Sequence, residues 1–242
     1  MLVSRMLRWI AFILIVLIVG AGVAAAAIPG PQRAFCAQCF GLKDIGNNVF
    51  TDAPEDSEAL TWLVSASDDR VAEFYGTLRA HPRYIICSTR DCYRRFGGST
   101  AKATSFGAEI IRVGPNGLNA TILAHERMHT ELAARLGWYG MLISSVPAWF
   151  NEGLAVYWSN DSRYRDPTTA EEEALTLTAI TPGDWLKLLH EFPALPAYQS
   201  ARNMVAEIAT TIGDDGLRAL VDETTQGADF NATLQELLAS AG

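Results

Sequence analysis

Histidine and basic charge are scarce in this sequence. It contains 4 His in 242 residues, and its 19 Lys and Arg against 27 Asp and Glu give a formal net charge of −8. Such a chain repels phosphate backbones, and no basic stripe compensates, so nucleic acid is excluded as the expected partner. No repeat of about 20 to 50 residues occurs, which excludes a solenoid. The hydrophobic fraction of 49% is enough for a folded core, which argues against a disordered chain.

Residues 1–28 are predicted to be a transmembrane anchor or a signal sequence. Arg5 and Arg8 precede an uncharged stretch, Trp9 to Ile28, which matches the roughly 20 apolar residues that a helix needs to cross a bilayer. A cleaved signal peptide is the alternative, because the small residues near the end of the stretch resemble a cleavage region. Both interpretations place the chain from Pro29 onward outside the cytoplasm, in a periplasm or the extracellular space. A lipid bilayer is the expected partner of an uncleaved N-terminal helix.

The four cysteines are expected to form two disulfides. Cys36 and Cys39 form a C-x-x-C pair, Cys87 and Cys92 lie five apart, and an oxidising compartment favours disulfides over free thiols. The sequence leaves the choice among the possible pairings open. A thioredoxin-like redox site would require a strand before Cys36 and a helix after Cys39, and neither is predicted. A four-cysteine zinc site has compatible spacing but disagrees with an oxidising compartment.

The rest of the chain is predicted to be an α+β domain behind an irregular segment. Residues 29–55, rich in Pro, Gly and Asn, are interpreted as a cysteine-containing stalk, and residues 56–242 as the domain. Short apolar runs predict two strands, Arg83–Cys87 and Ala108–Val113. Apolar spacing and capping residues predict helices at 56–64, 69–78, 119–136 and 147–158, around Trp185, and at 198–211, 214–222 and 229–242.

The helix predicted at 119–136 contains an H-E-x-x-H motif, because residues 125–129 read His-Glu-Arg-Met-His. Residues i and i+4 project from one face of a helix about one turn apart, so His125 and His129 can bind one metal ion. Glu126 lies beside them, close to a metal-bound water. The alternative is that His125 and His129 are buried, hydrogen-bonded histidines and that Glu126 is simply exposed.

A third ligand is available in the next predicted helix. Residues 147–155 read Pro-Ala-Trp-Phe-Asn-Glu-Gly-Leu-Ala, which places Glu152 23 residues after His129 (152 − 129). Catalytic zinc takes three protein ligands and keeps an open position, and two His with one Glu is a recognised set. A carboxylate with aromatic neighbours is costly to bury without a cation. Glu173 is the next candidate, while Glu131 points away from the face of His129.

The H-E-x-x-H helix followed by a Pro-x-Trp-x-x-Glu-Gly-x-Ala helix resembles the gluzincin metallopeptidases of the peptidase MA-like superfamily, in a membrane-anchored form. The resemblance implies a zincin-like domain with a small sheet, an edge strand and a mainly helical C-terminal part. It also implies one Zn²⁺ bound by His125, His129 and Glu152, with Glu126 as general base. Ala108–Val113 would be the edge strand along which a peptide lies.

These features predict a zinc-dependent peptidase that acts outside the cytoplasm on a peptide or protein substrate. Zn²⁺ would activate a water molecule, and Glu126 would take its proton. Tyr198 is the leading candidate for a donor to the developing oxyanion, because the related enzymes often place a Tyr or His there. The alternative interpretation of Tyr198 is a tyrosine that only packs in the core. Tyr157 and His190 are weaker candidates for the oxyanion donor. The competing hypothesis is a non-catalytic, exported binding or assembly module that retains a zincin fold, although metal binding alone does not require Glu126.

Overall fold

The computed structural model describes Trp9, Leu14, Ile15 and residues 31–242. The predicted anchor or signal sequence, residues 1–28, lies outside the described residues apart from those three. In the part of the chain that is described, no helix is both long enough and apolar enough to cross a membrane.

The described α-helices between residues 31 and 242 are connected by loops, short strands and short 3-10 helices. In chain order they are α1 (Pro31–Phe35), α2 (Ser57–Tyr75), α3 (Arg90–Arg95), α4 (Ala120–Leu142), α5 (Ala148–Ser159), α6 (Ala170–Thr176), α7 (Pro182–Glu191), α8 (Ala194–Thr225) and α9 (Phe230–Ala241).

Within residues 31–242, five strands form one mixed sheet in the order β1-β2-β3-β5-β4. They are β1 (Lys43–Asp44), β2 (Val49–Thr51), β3 (Arg83–Ile86), β4 (Ala103–Phe106) and β5 (Ile110–Val113). The strands β2, β3 and β5 run parallel, while β1 and β4 pair antiparallel to their neighbours at the two edges. A small mixed sheet beside a mostly helical chain confirms the predicted α+β class.

The prediction that Ala108–Val113 is the edge strand is wrong. β5, which covers the end of this range, lies between β3 and β4, so β4 is the edge strand on this side of the sheet and β1 is the edge strand on the other. Gly107 has a φ of 53° and turns the chain so that Phe106 pairs with Ile110 in a hairpin. The β4 sequence, Ala-Thr-Ser-Phe, is short and half polar. It predicts no strand by itself and becomes one only by pairing with β5.

Residues 29–55, interpreted as a stalk, supply two strands of the sheet, β1 and β2. β2 is buried along its length, with Val49 and Phe50 on opposite faces of the sheet. The Gly and Asn residues that indicated an irregular segment lie mainly in the turn between β1 and β2, where Asn47 and Asn48 adopt positive φ. The folded domain therefore begins before residue 56.

The two expected disulfides are present, and both are local. Cys36 is joined to Cys39 and Cys87 to Cys92, with Cα atoms 5.3 and 5.5 Å apart. Cys87 and Cys92 pack in the core on one face of the sheet. These pairings leave no thiol among the four for a metal site.

α2 is one continuous helix where the sequence predicted two, at 56–64 and 69–78. The polar stretch between them continues the helix, because its side chains find partners. Asp68 accepts hydrogen bonds from Nε of Arg127 at 2.7 Å and from the hydroxyl of Tyr84 at 3.1 Å. These bonds connect α2 to α4 and to β3.

α4 carries the H-E-x-x-H motif and begins after Asn119, as predicted. The side chain of Asn119 accepts a hydrogen bond from the backbone N–H of Ile122 at 2.9 Å, the usual N-cap arrangement. The predicted end at Gly137 is instead a change of direction. Gly137 adopts a φ of 62°, and helical structure resumes as far as Leu142. Gly213 has the same effect within α8.

A buried carboxylate, Glu131, holds α4 against the segment that follows α2. It accepts hydrogen bonds from the backbone N–H groups of Arg79 and Ala80, at 2.9 to 3.0 Å, and from the guanidinium groups of Arg127 and Arg135. Burial raises the pKa of Glu131, but these donors outweigh burial and lower it. Because Glu131 lies on the opposite side of α4 from the motif histidines, this contact turns their face toward α5.

The helices α5 and α8 approach so closely at Gly153 that no side chain fits there. A Cβ atom at Gly153 would lie 2.2 Å from the carbonyl oxygen of Ala201 on α8. This close contact fixes α5, which carries Glu152 toward α4.

Glu131→Gln is expected to lower the free energy of unfolding by about 3–5 kcal/mol at pH 7, the scale for breaking a buried ion pair. The neutral amide leaves the buried charge of Arg135 without its acidic partner and leaves Arg127 with Asp68 alone. Since the pKa of Glu131 is lowered in the fold, its stabilisation is present at neutral pH and is lost as the pH falls below about 4. Chemical denaturation at neutral and acid pH measures both effects, with the exposed Glu207→Gln as control. Equal stability of the two variants at pH 7 would contradict this role.

Candidate metal centre

The structure brings the three predicted metal ligands together. His125 and His129 lie one turn apart on α4, and Glu152 reaches them from α5. The two imidazole Nε2 atoms are 3.1 Å apart. Oε2 of Glu152 lies 3.5 Å from Nε2 of His125 and 3.6 Å from Nε2 of His129. All three side chains are mostly buried.

The spacing of these three atoms fits a tetrahedral metal ion. Two ligands bound to one Zn²⁺ at about 2.0–2.1 Å and a tetrahedral angle lie about 3.4 Å apart, and the three distances observed here run from 3.1 to 3.6 Å. Within the described chain, Oε2 of Glu152 is buried and has no hydrogen-bond partner. An unpaired buried carboxylate oxygen is costly, and a cation bound by the three groups would remove that cost. The donor set therefore fits zinc.

Asn151 orients the ring of His129. Its Oδ1 lies 2.9 Å from Nδ1 of His129. Because an amide oxygen can only accept, Nδ1 donates to it, and Nε2 is left to face His125 and Glu152. Metal-bound histidines usually make such an outer hydrogen bond. Sequence reasoning missed Asn151, although its position directly before Glu152 in the motif could have indicated it.

The charge of Glu152 controls protonation within the cluster. Burial lowers the pKa of His129, but the Glu152 carboxylate outweighs this effect and raises the pKa to about 9. Burial raises the pKa of Glu152, yet the charges of His129 and His125 hold it well below its usual range. The carboxylate stays ionised, as a metal ligand must be.

Glu126 follows His125 directly on α4 and is buried. Its negative charge contributes to the raised pKa of His129 and to that of Tyr198, which places its carboxylate within electrostatic reach of both residues. A carboxylate beside the ligand face is positioned to take a proton from a reacting group at the centre. Its catalytic role stays a prediction.

Tyr198 packs against the candidate centre from α8. The centre of its ring lies 6.3 Å from that of His125, 5.1 Å from that of Trp185 and 5.2 Å from that of Tyr164. Burial, with a further effect from the charge of Glu152, raises the pKa of Tyr198 well above its usual value. The hydroxyl therefore keeps its proton and can act as a donor. Sequence reasoning missed Tyr164, which lies in a short 3-10 helix with no pattern to indicate it.

The other candidates lie elsewhere. Tyr157 faces Arg202, whose guanidinium carbon is 5.6 Å from the centre of the tyrosine ring. Glu173, the alternative third ligand, accepts a hydrogen bond from the hydroxyl of Thr168. His190 is exposed near the end of α7. Among the described residues, only His125, His129 and Glu152 form a potential metal-binding group that is not built on disulfide-bonded cysteines.

A cavity of about 280 Å³ opens beside the candidate centre. His129 and Glu152 form part of its wall, and Ser105 and Gly107, in and after the edge strand β4, form another part. An apolar cavity with a few convergent polar groups is a candidate ligand site. The apolar wall comes from α4, α5, α7 and the connection after α4, with Leu132, Ala133, Leu136, Met141, Val146, Ala148, Trp185 and Leu186.

No protein-family model, curated protein or solved structure matches this chain. What the chain does is therefore inferred from the chemistry of its own residues.

We expect the chain to bind one zinc ion, with loss or strong weakening of binding in His125→Ala, His129→Ala and Glu152→Ala, because each change removes one of three ligands. His190→Ala is the matched control, since it removes an exposed histidine away from the centre. Metal analysis after dialysis and competition titration with a chelator measure stoichiometry and affinity. Full affinity in Glu152→Ala, with loss in both histidine variants, would show that the carboxylate is not a ligand.

Proposed function

We propose that this chain is a zinc-dependent peptidase of the gluzincin type, with a zincin-like fold. The observation that supports this most strongly is the convergence of His125, His129 and Glu152, in which the buried Oε2 of Glu152 has no hydrogen-bond partner among the described residues. Zn²⁺ bound by these residues would supply a Lewis acid that activates water and polarises a peptide carbonyl. The order of the two motif helices and the small sheet with an edge strand agree with the fold that the resemblance implies.

Glu126 is proposed as the general base. It is adjacent to His125 on the same helical turn, so its carboxylate can accept a proton from the attacking water and later pass it to the leaving amine. Binding of a metal by itself would not require a carboxylate at this position. Glu126 is therefore the residue that distinguishes a peptidase from an exported binding or assembly module.

Tyr198 is proposed as a hydrogen-bond donor to the charge that develops on the carbonyl oxygen. A donor must keep its proton throughout the reaction, and the raised pKa of the Tyr198 phenol ensures this at neutral pH. Its packing against Tyr164 and Trp185 limits the movement of the ring. The site would then contact the reacting carbonyl from α4, α5 and α8.

A peptide substrate is proposed to pair with the edge strand β4. Among the described strands β4 pairs only with β5, so its outer edge is free to pair with a peptide. Backbone hydrogen bonds would hold the peptide largely without regard to its side chains. The apolar cavity beside Ser105, Gly107 and Glu152 would then accept a large hydrophobic side chain next to the scissile bond. The expected substrate is an exported peptide or protein segment with such a residue.

Glu126→Gln should reduce peptide hydrolysis by about 10² to 10⁴-fold, the contribution of general base catalysis, because the amide cannot accept the proton. Zinc content and thermal stability should stay close to those of the unmodified chain, since the three ligands are untouched. The assay is cleavage of a broad library of fluorogenic peptides with large apolar residues, with Glu207→Gln as the control for loss of a distant carboxylate.

Two results would count against the peptidase. The first is hydrolysis that persists undiminished in Glu126→Gln, because the base would then be a different residue. The second is a zinc-loaded, folded chain that cleaves no member of the library, together with a cellular phenotype that survives Glu126→Gln but not loss of the ligands. That combination is the pattern expected of a binding module.

Tyr198→Phe should leave zinc binding and fold intact and slow turnover by about 10²-fold or more, the scale for loss of one oxyanion donor. Tyr157→Phe is the control, because this tyrosine faces Arg202. Steady-state kinetics should place the loss in kcat rather than in KM. An unchanged kcat in Tyr198→Phe would assign this tyrosine to packing alone.

A further inference from the structure

The segment 138–143 exposes a continuous group of large hydrophobic side chains. Trp138, Tyr139, Met141, Leu142 and Ile143 are each between 42% and 79% exposed. No charged residue occurs from position 137 to position 147. Single exposed hydrophobic residues are ordinary, but five large ones within six positions indicate an interaction surface.

The change of direction at Gly137 creates this exposure. Before it, Leu132 is buried and Leu136 packs against the core on the inner side of α4. After it, the chain leaves the helix axis through the φ of 62° at Gly137, and the next large side chains point away from the core. Glycine adopts a positive φ without strain, so the chain can change direction here. The apolar residues that follow therefore lie at positions that a straight helix would not give them.

The beginning of the described domain lies at the same end of the sheet as this segment. The carbonyl oxygen of Phe35 accepts a hydrogen bond from Nη1 of Arg83 at 3.2 Å, and the backbone N–H of Arg83 donates to Glu109 at 2.7 Å. Glu109 belongs to the turn that begins at Gly107, and Gly107 lines the same cavity as Met141. This series of contacts connects α1 to the segment 138–143 along one end of the sheet.

Further exposed apolar residues lie near these contacts and the cavity. Phe35 is exposed at the end of α1, and Phe106 is partly exposed at the end of the edge strand. Leu186, on the wall of the same cavity, is also exposed. Exposed apolar side chains therefore occur both in the segment 138–143 and near the place where the domain begins.

We propose that the segment 138–143 docks on the lipid bilayer, with Trp138 and Tyr139 at the level of the headgroups. The short length of chain between the apolar stretch and the domain indicates that the segment meets a bilayer. The apolar stretch of the sequence ends at Ile28, and the three steps from there to Pro31 span at most about 10 Å. The proposal rests on the interpretation of residues 1–28 as an uncleaved anchor, because a bilayer that holds this stretch is then close to α1 and to the surface connected with it.

The composition of the segment also suits lipid. Trp and Tyr prefer membrane interfaces, and an uncharged group of Met, Leu and Ile gains by leaving water for the acyl boundary. The segment itself carries no charged residue, so its attraction to lipid is apolar and should change little with salt. This proposal does not depend on the peptidase function. Because Met141 also lines the cavity, docking would hold the candidate centre beside the membrane surface.

The test uses the full chain in phosphatidylcholine vesicles whose acyl chains carry bromine, which quenches tryptophan fluorescence on contact. Trp138→Phe is compared with Trp62→Phe, a matched control because Trp62 is 64% exposed on α2. Both variants are conservative, and both keep the remaining tryptophans, including Trp9, as a common background. We expect Trp138→Phe to remove at least about twice as much of the lipid-dependent quenching as Trp62→Phe, at low and high salt alike.

Equal losses of quenching in the two variants would overturn the proposal. A second contrary result is a dimer that is detected by sedimentation in lipid-free detergent and that dissociates in Leu142→Ser. A second copy of the chain, and not lipid, would then cover the segment. A third contrary result is an increased KM for a soluble peptide in Leu142→Ser with unchanged quenching, which would assign the segment to substrate binding. Circular dichroism and zinc content of each variant show whether the fold is retained.

Discussion

The carboxylate of Glu131 accepts hydrogen bonds from four donor groups, which come from two parts of the chain. Two are backbone N–H groups in the turn between α2 and β3, and two are arginine side chains one helical turn away on α4. A rotation of α4 would carry Glu131 and the two arginines along together, and it would leave the two backbone N–H groups unpaired. The hydrogen bonds of Glu131 therefore fix the rotation of α4 about its own axis. The motif histidines occupy the opposite side of the helix and are turned toward α5 as a consequence.

The second constraint acts on α5. Gly153 allows this helix to lie directly on the backbone of α8 at Ala201, and that contact leaves Glu152 on the side that faces α4. The carboxylate is then held next to two imidazoles in a site with few other polar partners. Such an arrangement is unfavourable unless the three groups share a proton or a cation. The same packing places the three candidate ligands at distances that suit one metal ion.

The position of the centre at the edge of the sheet connects its chemistry with its surroundings. The hairpin of β4 and β5 brings Ser105 and Gly107 to the cavity, so an extended peptide paired with the edge would pass the candidate ligands. The segment 138–143 emerges at the same cavity because α4 changes direction at Gly137. The helix that supplies the histidines thus also supplies the exposed apolar surface, and the two proposals involve neighbouring parts of one element.

Local features of this protein were determined by the sequence alone. The i and i+4 spacing of His125 and His129 and the cap at Asn119 depend on residues within one or two helical turns, so the sequence pattern predicts them. The glycine at position 137 was predicted to end the helix, and only the structure shows that helical structure resumes after it. Residues distant in the chain decided the remainder. The composition of β4 and of the two strands within 29–55 is ambiguous, and these segments become strands only by pairing with distant segments. The helix α2 continues through Asp68 because Asp68 contacts Arg127 on α4. Asn151 and Tyr164 became part of the site only through packing of α5 and α8 against α4, because no spacing within a single helix records which side chain a neighbouring helix will contact.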